Sequence, residues 1–307
     1  MRLAIAAMLA LLVAVPASAQ SIDVGVPSQD AGYKTKSIRN IVYKTVDGQS
    51  LKLNLFLPEK NGQIRQTTPL LIHIDSGGWY SGDPGDGGKW MELGAVQKGF
   101  AVASVPHRSA AKYKFPAPIE DAKAAVRFLR AHAKEYGLDK TRFAAMGFSS
   151  GGHIVSMLGI PDRVKTFDVG ENLDESSQVQ AVFNFFSTAS IDFMLKNNEC
   201  VDPIYNVLGA MAYKGKSADQ IPPDIMELAK KCSPLTYAAK DFSPIINFYG
   251  VKDPYIPPSQ GCLLHEQLLL KGAKSRLIIA NEGVHNANTV IPPQELGKMA
   301  WEFLGWK

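Results

Sequence analysis

Asn40 to Pro58, NIVYKTVDGQSLKLNLFLP, carries leucines at 51, 53, 55 and 57 with Asp47-Gly48 ahead of them. This alternation around a turn dipeptide predicts a β-hairpin with the leucines on one face. PLLIHI (69–74) and FAVASV (100–105) are instead almost continuously apolar, as expected of strands covered on both faces of a mainly parallel sheet. Between Pro118 and Gly137 the period changes. Ile119, Ala122, Val126, Leu129 and Ala133 recur at spacings of three and four, which predicts a helix that opens at Pro118 and ends near Gly137. RFAAM (142–146), AVFNFF (181–186), PIINFY (244–249) and SRLIIA (275–280) read as further strands, GGHIVSMLG (151–159) as a helix and residues 293–304 as a last one. Alternating strands and helices after an antiparallel start predict an α/β three-layer fold. Residues 187–240 contain no strand-like run but carry Phe193, Met194, Tyr205, Met211 and a short helical pattern around Met226; they read as a cap inserted over the edge of the sheet. No internal repeat is evident.

The 307 residues are 46% hydrophobic, enough for a globular core. MRLAIAAMLALLVAVPASAQ has one early charge, an apolar run and Ala17-Ser18-Ala19, the pattern of a secretory leader cleaved after residue 19. Residues 20–40 follow as a polar segment before the main domain, expected over 41–307. The protein is therefore expected to be secreted or periplasmic, with no membrane-spanning segment. The formal charge of +4 comes from mixed signs without a basic block, which argues against nucleic-acid binding. An exported protein can form disulfides, and Cys200 and Cys232, both in the insertion, are expected to pair; the alternative is two partly buried free thiols. Cys262 reads as a buried apolar residue. GDPGDGGKW (82–90) misses phosphate-loop spacing by one residue and has Trp90 where Ser or Thr is required. No cysteine or histidine spacing indicates zinc, and no dinucleotide fingerprint follows the first strand, so neither metal nor cofactor is expected.

The candidate chemistry lies in AAMGFSSGGH (144–153). Ser149, unlike Ser150, has a glycine two places before it and two after it, the spacing of a sharp strand-to-helix turn that leaves the hydroxyl projecting. A serine hydroxyl needs a base. Of six histidines, His73 lies in a strand, His132, His153 and His265 lie in helices, and His107 lies just past a strand. His285 falls in the loop NEGVHNAN after the last strand. Asp253, in the turn GVKDPYIPPSQ after the preceding strand, is the matching carboxylate. The order Ser149, Asp253, His285 puts all three on loops at the carboxyl ends of strands.

Order, spacing and surrounding residues resemble the α/β-hydrolase superfamily over about residues 40–305. The resemblance is strongest to small secreted carboxylesterases, the hormone-sensitive-lipase-like and feruloyl- or acetyl-esterase-like members. FPAPIEDAKAAVRFLRAHAKEYGLDKTRFAAMGFSSGGH carries most of it, with CSPLTY and GVKDPYIPPSQ next. The resemblance implies an α/β-hydrolase sandwich and a serine carboxylic-ester hydrolase acting through an acyl-enzyme on small acyl or aromatic esters. In that mechanism His285 takes the Ser149 proton and Asp253 holds the imidazole. These enzymes usually carry His-Gly-Gly-Gly-Trp after the third strand, where this chain has Asp75-Ser76-Gly77-Gly78-Trp79. The resemblance thus assigns the oxyanion-hole amides to Gly77, Gly78 and Ser150. Asp75, in place of the histidine, is expected to point away and brace the loop. Trp79, Tyr80, Phe148 and Tyr255 are expected to line the substrate site, with Phe193 and Met194 of the cap in reach. Two other functions share these features, a non-catalytic hydrolase-fold binding protein and a prolyl-oligopeptidase-like peptidase.

Overall fold

The computed structural model describes residues 31–80 and 83–306; the expected leader and the start of the 20–40 segment lie outside them. The hairpin forms from β1 (Lys34–Val46) and β2 (Gln49–Lys60), with Val46 opposite Gln49. Asp47 and Gly48 sit at φ 50° and 74°, the left-handed pair that a two-residue hairpin turn requires. All four alternating leucines are buried. β3 (Gln63–Ile64) pairs with the last residues of β2, Glu59 and Lys60.

β4 (Thr68–Ile74), β5 (Ala101–Ser104), β6 (Leu138–Phe148), β7 (Ala181–Phe185), β8 (Ile245–Gly250) and β9 (Ser275–Ala280) complete the sheet. Its order is β1-β2-β5-β4-β6-β7-β8-β9; β2 is antiparallel to β5, and every pairing beyond is parallel. Consecutive residues of β7 show how both faces are covered. The Phe183 ring meets Trp90 of α1 (Gly88–Glu92) at 5.2 Å and Phe303 of the C-terminal helix at 5.6 Å. Its neighbour Asn184 lies against Gly152 of α3 (Ser150–Leu158). Because adjacent strand residues point to opposite faces, the helices form two outer layers around the sheet.

α2 (Ala117–Ala131) buries Ile119, Ala122, Val126 and Leu129, the expected stripe. It ends six residues before Gly137, and the intervening residues turn back toward β6. The helix is also buried on its charged side. Arg127 donates to Asp168 at 2.6 Å, Lys123 to Ser177 at 2.7 Å and Arg130 to the Gln178 carbonyl at 2.6 Å. The segment between α3 and β7 covers these charges and satisfies them, so they escape the penalty of burial without partners.

Residues 187–240 contain α4 (Ile191–Lys196), α5 (Asp202–Val207), α6 (Pro223–Lys231) and short 3₁₀ turns, with no strand. The expected Cys200–Cys232 bridge is absent, and both thiols are free. Cys232 is fully buried where α6 ends, with its sulfur 3.8 Å from the His153 ring, whereas Cys200 is half-buried on the wall of the cavity that also contains Ser149. Each thiol is packed in its own surroundings, and burial raises the pKa of both. α7 (Ser259–Leu270), α8 (Ala287–Val290) and α9 (Pro293–Leu304) complete the chain. Among the described residues no helix is long and apolar enough to cross a membrane.

Candidate active site

Ser149 stands between β6 and α3 at φ 53°, ψ −119°, a backbone conformation that costs energy for any residue with a Cβ. The surroundings hold it there. Its N–H donates to the Phe185 carbonyl at 2.9 Å, and its carbonyl accepts from His153 N–H at 3.0 Å. The flanking glycines are required by contact: a Cβ on Gly147 would overlap the Gly151 carbonyl, and one on Gly151 would overlap the Ile74 and Asp75 carbonyls. The bracket around Ser149 therefore serves the close approach of α3 to the ends of β4 and β6.

Asp253 and His285 come from the loops after β8 and β9. Those loops are joined by Val251 N–H to the Ala280 carbonyl and Lys252 N–H to the Gly283 carbonyl, both 2.9 Å. The Asp253 side chain is fully buried, and its oxygens divide their work. Oδ1 accepts from the amides of Tyr255 (2.8 Å) and Ile256 (3.0 Å), fixing the turn. Oδ2 accepts from His285 Nδ1 at 2.6 Å. A neutral imidazole that donates through Nδ1 keeps a lone pair on Nε2. Phe186 and Tyr255 pack on the His285 ring at 4.5 Å and 5.2 Å between centroids.

Ser149, Ser150 and His285 share one cavity of about 650 Å³ with Ser76, Gly77, Gly78 and Trp79. The loop bearing these glycines is left-handed at Gly78 (φ 62°) and Trp79 (φ 65°). It is tied to the segment after β5 by Ala110 N–H to the Trp79 carbonyl at 2.8 Å. That segment is anchored in turn by Arg108, whose Nε donates to buried Asp121 of α2 at 2.8 Å. The Ser150 amide opens α3 and so lacks an intrahelical acceptor.

The lining differs from expectation at several residues. Trp79 and Tyr255 belong to the cavity, but Tyr80 does not: it is exposed beyond it. Phe148 faces a separate cavity beside His73 and packs at a tilt on Phe185, 4.8 Å between centroids. Alternation along β6 sends a residue next to Ser149 away from the Ser149 cavity. Met194 is buried in the core, and Phe193 is not part of the wall. The insertion contributes Cys200 to Ile204 instead, and Thr188 and Ile256 complete the lining. Thr188 and Cys200 to Ile204 have no sequence signature, since their position depends on how residues 187–240 fold back, whereas Ile256 belongs to the Asp253 turn.

Asp75 lies outside the Ser149 cavity, in the one shared by His73, Lys89 and Phe148, and its Oδ1 accepts the Ser76 amide at 2.7 Å. Among the described residues no cluster of His, Cys, Asp or Glu is arranged to hold a metal ion.

This arrangement places a hydroxyl on a strained turn in one cavity with an imidazole that a buried carboxylate orients. The BD-FAE family model matches residues 53–268. The chain belongs to the BD-FAE family. The probable carboxylic ester hydrolase LipM of Mycobacterium tuberculosis is 25% identical over 202 residues, 66% of this BD-FAE chain and 45% of LipM. The chain thus spans about half the length of the curated relatives it matches. Among solved structures, a bifunctional GH43-CE protein of Bacteroides eggerthii superposes with a TM-score of 0.72 at 27% identity, covering 87% of this chain and 35% of that one. A truncated carbohydrate esterase from gut microbiota superposes with a TM-score of 0.69 at 25% identity, covering 92% and 100%. The fold is that of the α/β-hydrolases.

Proposed function

We propose that the protein is a serine carboxylic-ester hydrolase that works through an acyl-enzyme. The observation that carries this reading is the His285 Nδ1–Asp253 Oδ2 hydrogen bond of 2.6 Å, which orients an imidazole lining the same cavity as strained Ser149. His285 Nε2 takes the proton from Ser149 Oγ as the oxygen attacks the ester carbonyl, and Asp253 stabilises the resulting imidazolium. The amides of Gly77, Gly78 and Ser150 receive the charge that develops on the carbonyl oxygen. Collapse breaks the bond to the alcohol, which leaves with the proton from His285. Water, activated by the same imidazole, then releases the acid and restores Ser149. The position of Asp75 outside the reaction cavity supports its bracing role, since a carboxylate aimed at the oxyanion would oppose this chemistry.

The lining contains no lysine or arginine, and its one carboxylate, Asp202, pairs with Lys214 at 2.7 Å. That favours uncharged acyl groups, small or aromatic. The exposed Tyr255 ring at the cavity is available to a ring-shaped alcohol, and the carbohydrate-esterase neighbour makes sugar esters the first to try. A panel of p-nitrophenyl acetate, butyrate, feruloyl esters and acetylated sugars, beside a peptide anilide, tests the substrate class. Fluorophosphonate labelling tests the nucleophile: Ser149→Ala should lose the label and about 10⁴- to 10⁶-fold in kcat, while Ser150→Ala keeps most activity. Comparable activity in both variants, or a wild-type protein inert to every ester, would overturn the proposal.

A further inference from the structure

His153 has no part in the proposed triad, yet it is almost fully buried (1% exposed) one helical turn after Ser149. Its two ring nitrogens have different partners. Trp79 Nε1, which can only donate, lies 3.3 Å from Nδ1; the Cys232 carbonyl, which can only accept, lies 2.6 Å from Nε2. One neutral tautomer satisfies both, with the proton on Nε2 and the lone pair on Nδ1. Burial pushes the His153 pKa down to about 4, against the opposing pull of the Cys232 carbonyl, so the ring stays neutral near pH 7.

The three residues come from three parts of the site. Trp79 directly follows Gly77 and Gly78 and is itself left-handed; His153 is on the helix that Ser149 opens; Cys232 ends α6 of the insertion. A left-handed tryptophan persists only where its neighbours over-determine it. Trp79 is 4% exposed, its ring meets the edge of His153 at 5.3 Å, and its indole N–H is committed to that ring. The insertion also packs directly against the same loop: a Cβ on Gly78 would lie 2.9 Å from Pro203 Cβ.

We propose that His153 is a positioning residue, which sets the Gly77–Gly78 amides by accepting the Trp79 indole N–H while its other nitrogen is anchored on the insertion through the Cys232 carbonyl. The proposal rests on the oxyanion reading of Gly77 and Gly78 given above. It predicts that the Trp79–His153 bond matters for charge stabilisation in the transition state and little for substrate binding.

The test compares His153→Leu, His153→Gln and Trp79→Phe for kcat, KM and inhibition by a trifluoromethyl ketone, whose hemiketal oxyanion occupies the same amides. A glutamine amide offers one acceptor and one donor at nearly the spacing of the imidazole nitrogens. His153→Leu and Trp79→Phe should each lose about 10- to 100-fold in kcat, less than the loss of a whole oxyanion donor in a severe case. Ketone affinity should fall in parallel, with KM within about threefold, and His153→Gln should recover most of both. Trp79→Phe deletes one donor and keeps a ring in the core, so it serves even if His153→Leu fails to fold. Folded Trp79→Phe protein with unchanged kcat and ketone affinity, or a His153→Gln variant as poor as His153→Leu, would overturn the positioning role. An inert wild type that binds no ketone would instead remove the esterase reading beneath it.

Discussion

Lowering the pH from 7 to 5 should reduce folding stability by about 4 kcal/mol, through two buried imidazoles that the native state keeps neutral. His73 and His153 are 4% and 1% exposed. Burial lowers each from the ordinary 6.5 to about 4; Asp75 and Glu92 pull His73 the other way, and the Cys232 carbonyl does so for His153. The unfolded chain takes up a proton on each imidazole as the pH falls through 6.5, whereas the folded protein does so only near 4. Stability is therefore full above pH 6.5, falls between 6.5 and 4, and levels off below for these two groups. The linkage relation turns these values into about 2 kcal/mol per imidazole between pH 7 and 5, and about 3 kcal/mol by pH 4. Total stabilities are typically about 5–15 kcal/mol, so the change is large enough to measure. Burial lowers His107 and His265 too and adds to the loss, while Glu199, raised by desolvation, opposes it. Asp139 and Asp162, held low mainly by hydrogen bonds and nearby Arg142 and Lys165 against the push of desolvation, lose their contribution only below about pH 4. Urea unfolding at pH 7, 6 and 5, followed by far-UV circular dichroism, measures the slope. His153→Gln cannot titrate there and should recover about 2 kcal/mol of the loss. A flat profile in the wild type, or the same slope in the variant, would refute the reasoning.

Three further outcomes can be checked. Asp253→Asn should retain the turn made through the side-chain oxygen to Tyr255 and Ile256 but lose up to about 10⁴-fold in kcat, because an amide no longer holds the required tautomer; steady-state rates with a circular-dichroism spectrum decide it. Gly151→Ala should destabilise by about 1–3 kcal/mol or more and depress activity, because its methyl would overlap the Ile74 and Asp75 carbonyls; denaturant midpoints and kcat measure both. Asp75→Ala removes the acceptor of the Ser76 amide and should slow turnover by about 10-fold or less, well short of losing an oxyanion donor; a faster variant would show that Asp75 acts as a brake.

Features set by neighbours along the chain were legible before any fold was known. Backbone sterics at Ser149 require glycines two places away on each side, and that spacing is written locally. The leucines of β2, the stripe of α2 and the loops carrying Asp253 and His285 likewise follow from periodicity and turn chemistry. Side-chain direction at longer range was not legible. Phe148 sits beside Ser149 yet faces the His73 cavity, and Tyr80 follows Trp79 yet leaves the site. Cys200 and Cys232 share one segment, but its helices carry one to the cavity wall and the other under α3. The burial of the α2 charges was not legible either, because the segment between α3 and β7 that covers and pairs them is distant in sequence. His153 reads as an ordinary helix residue, because its role depends on a tryptophan 74 positions before it and a carbonyl 79 after it. Local sterics and repeat patterns determine which elements form, whereas the contacts between distant elements decide which side chains meet at the site.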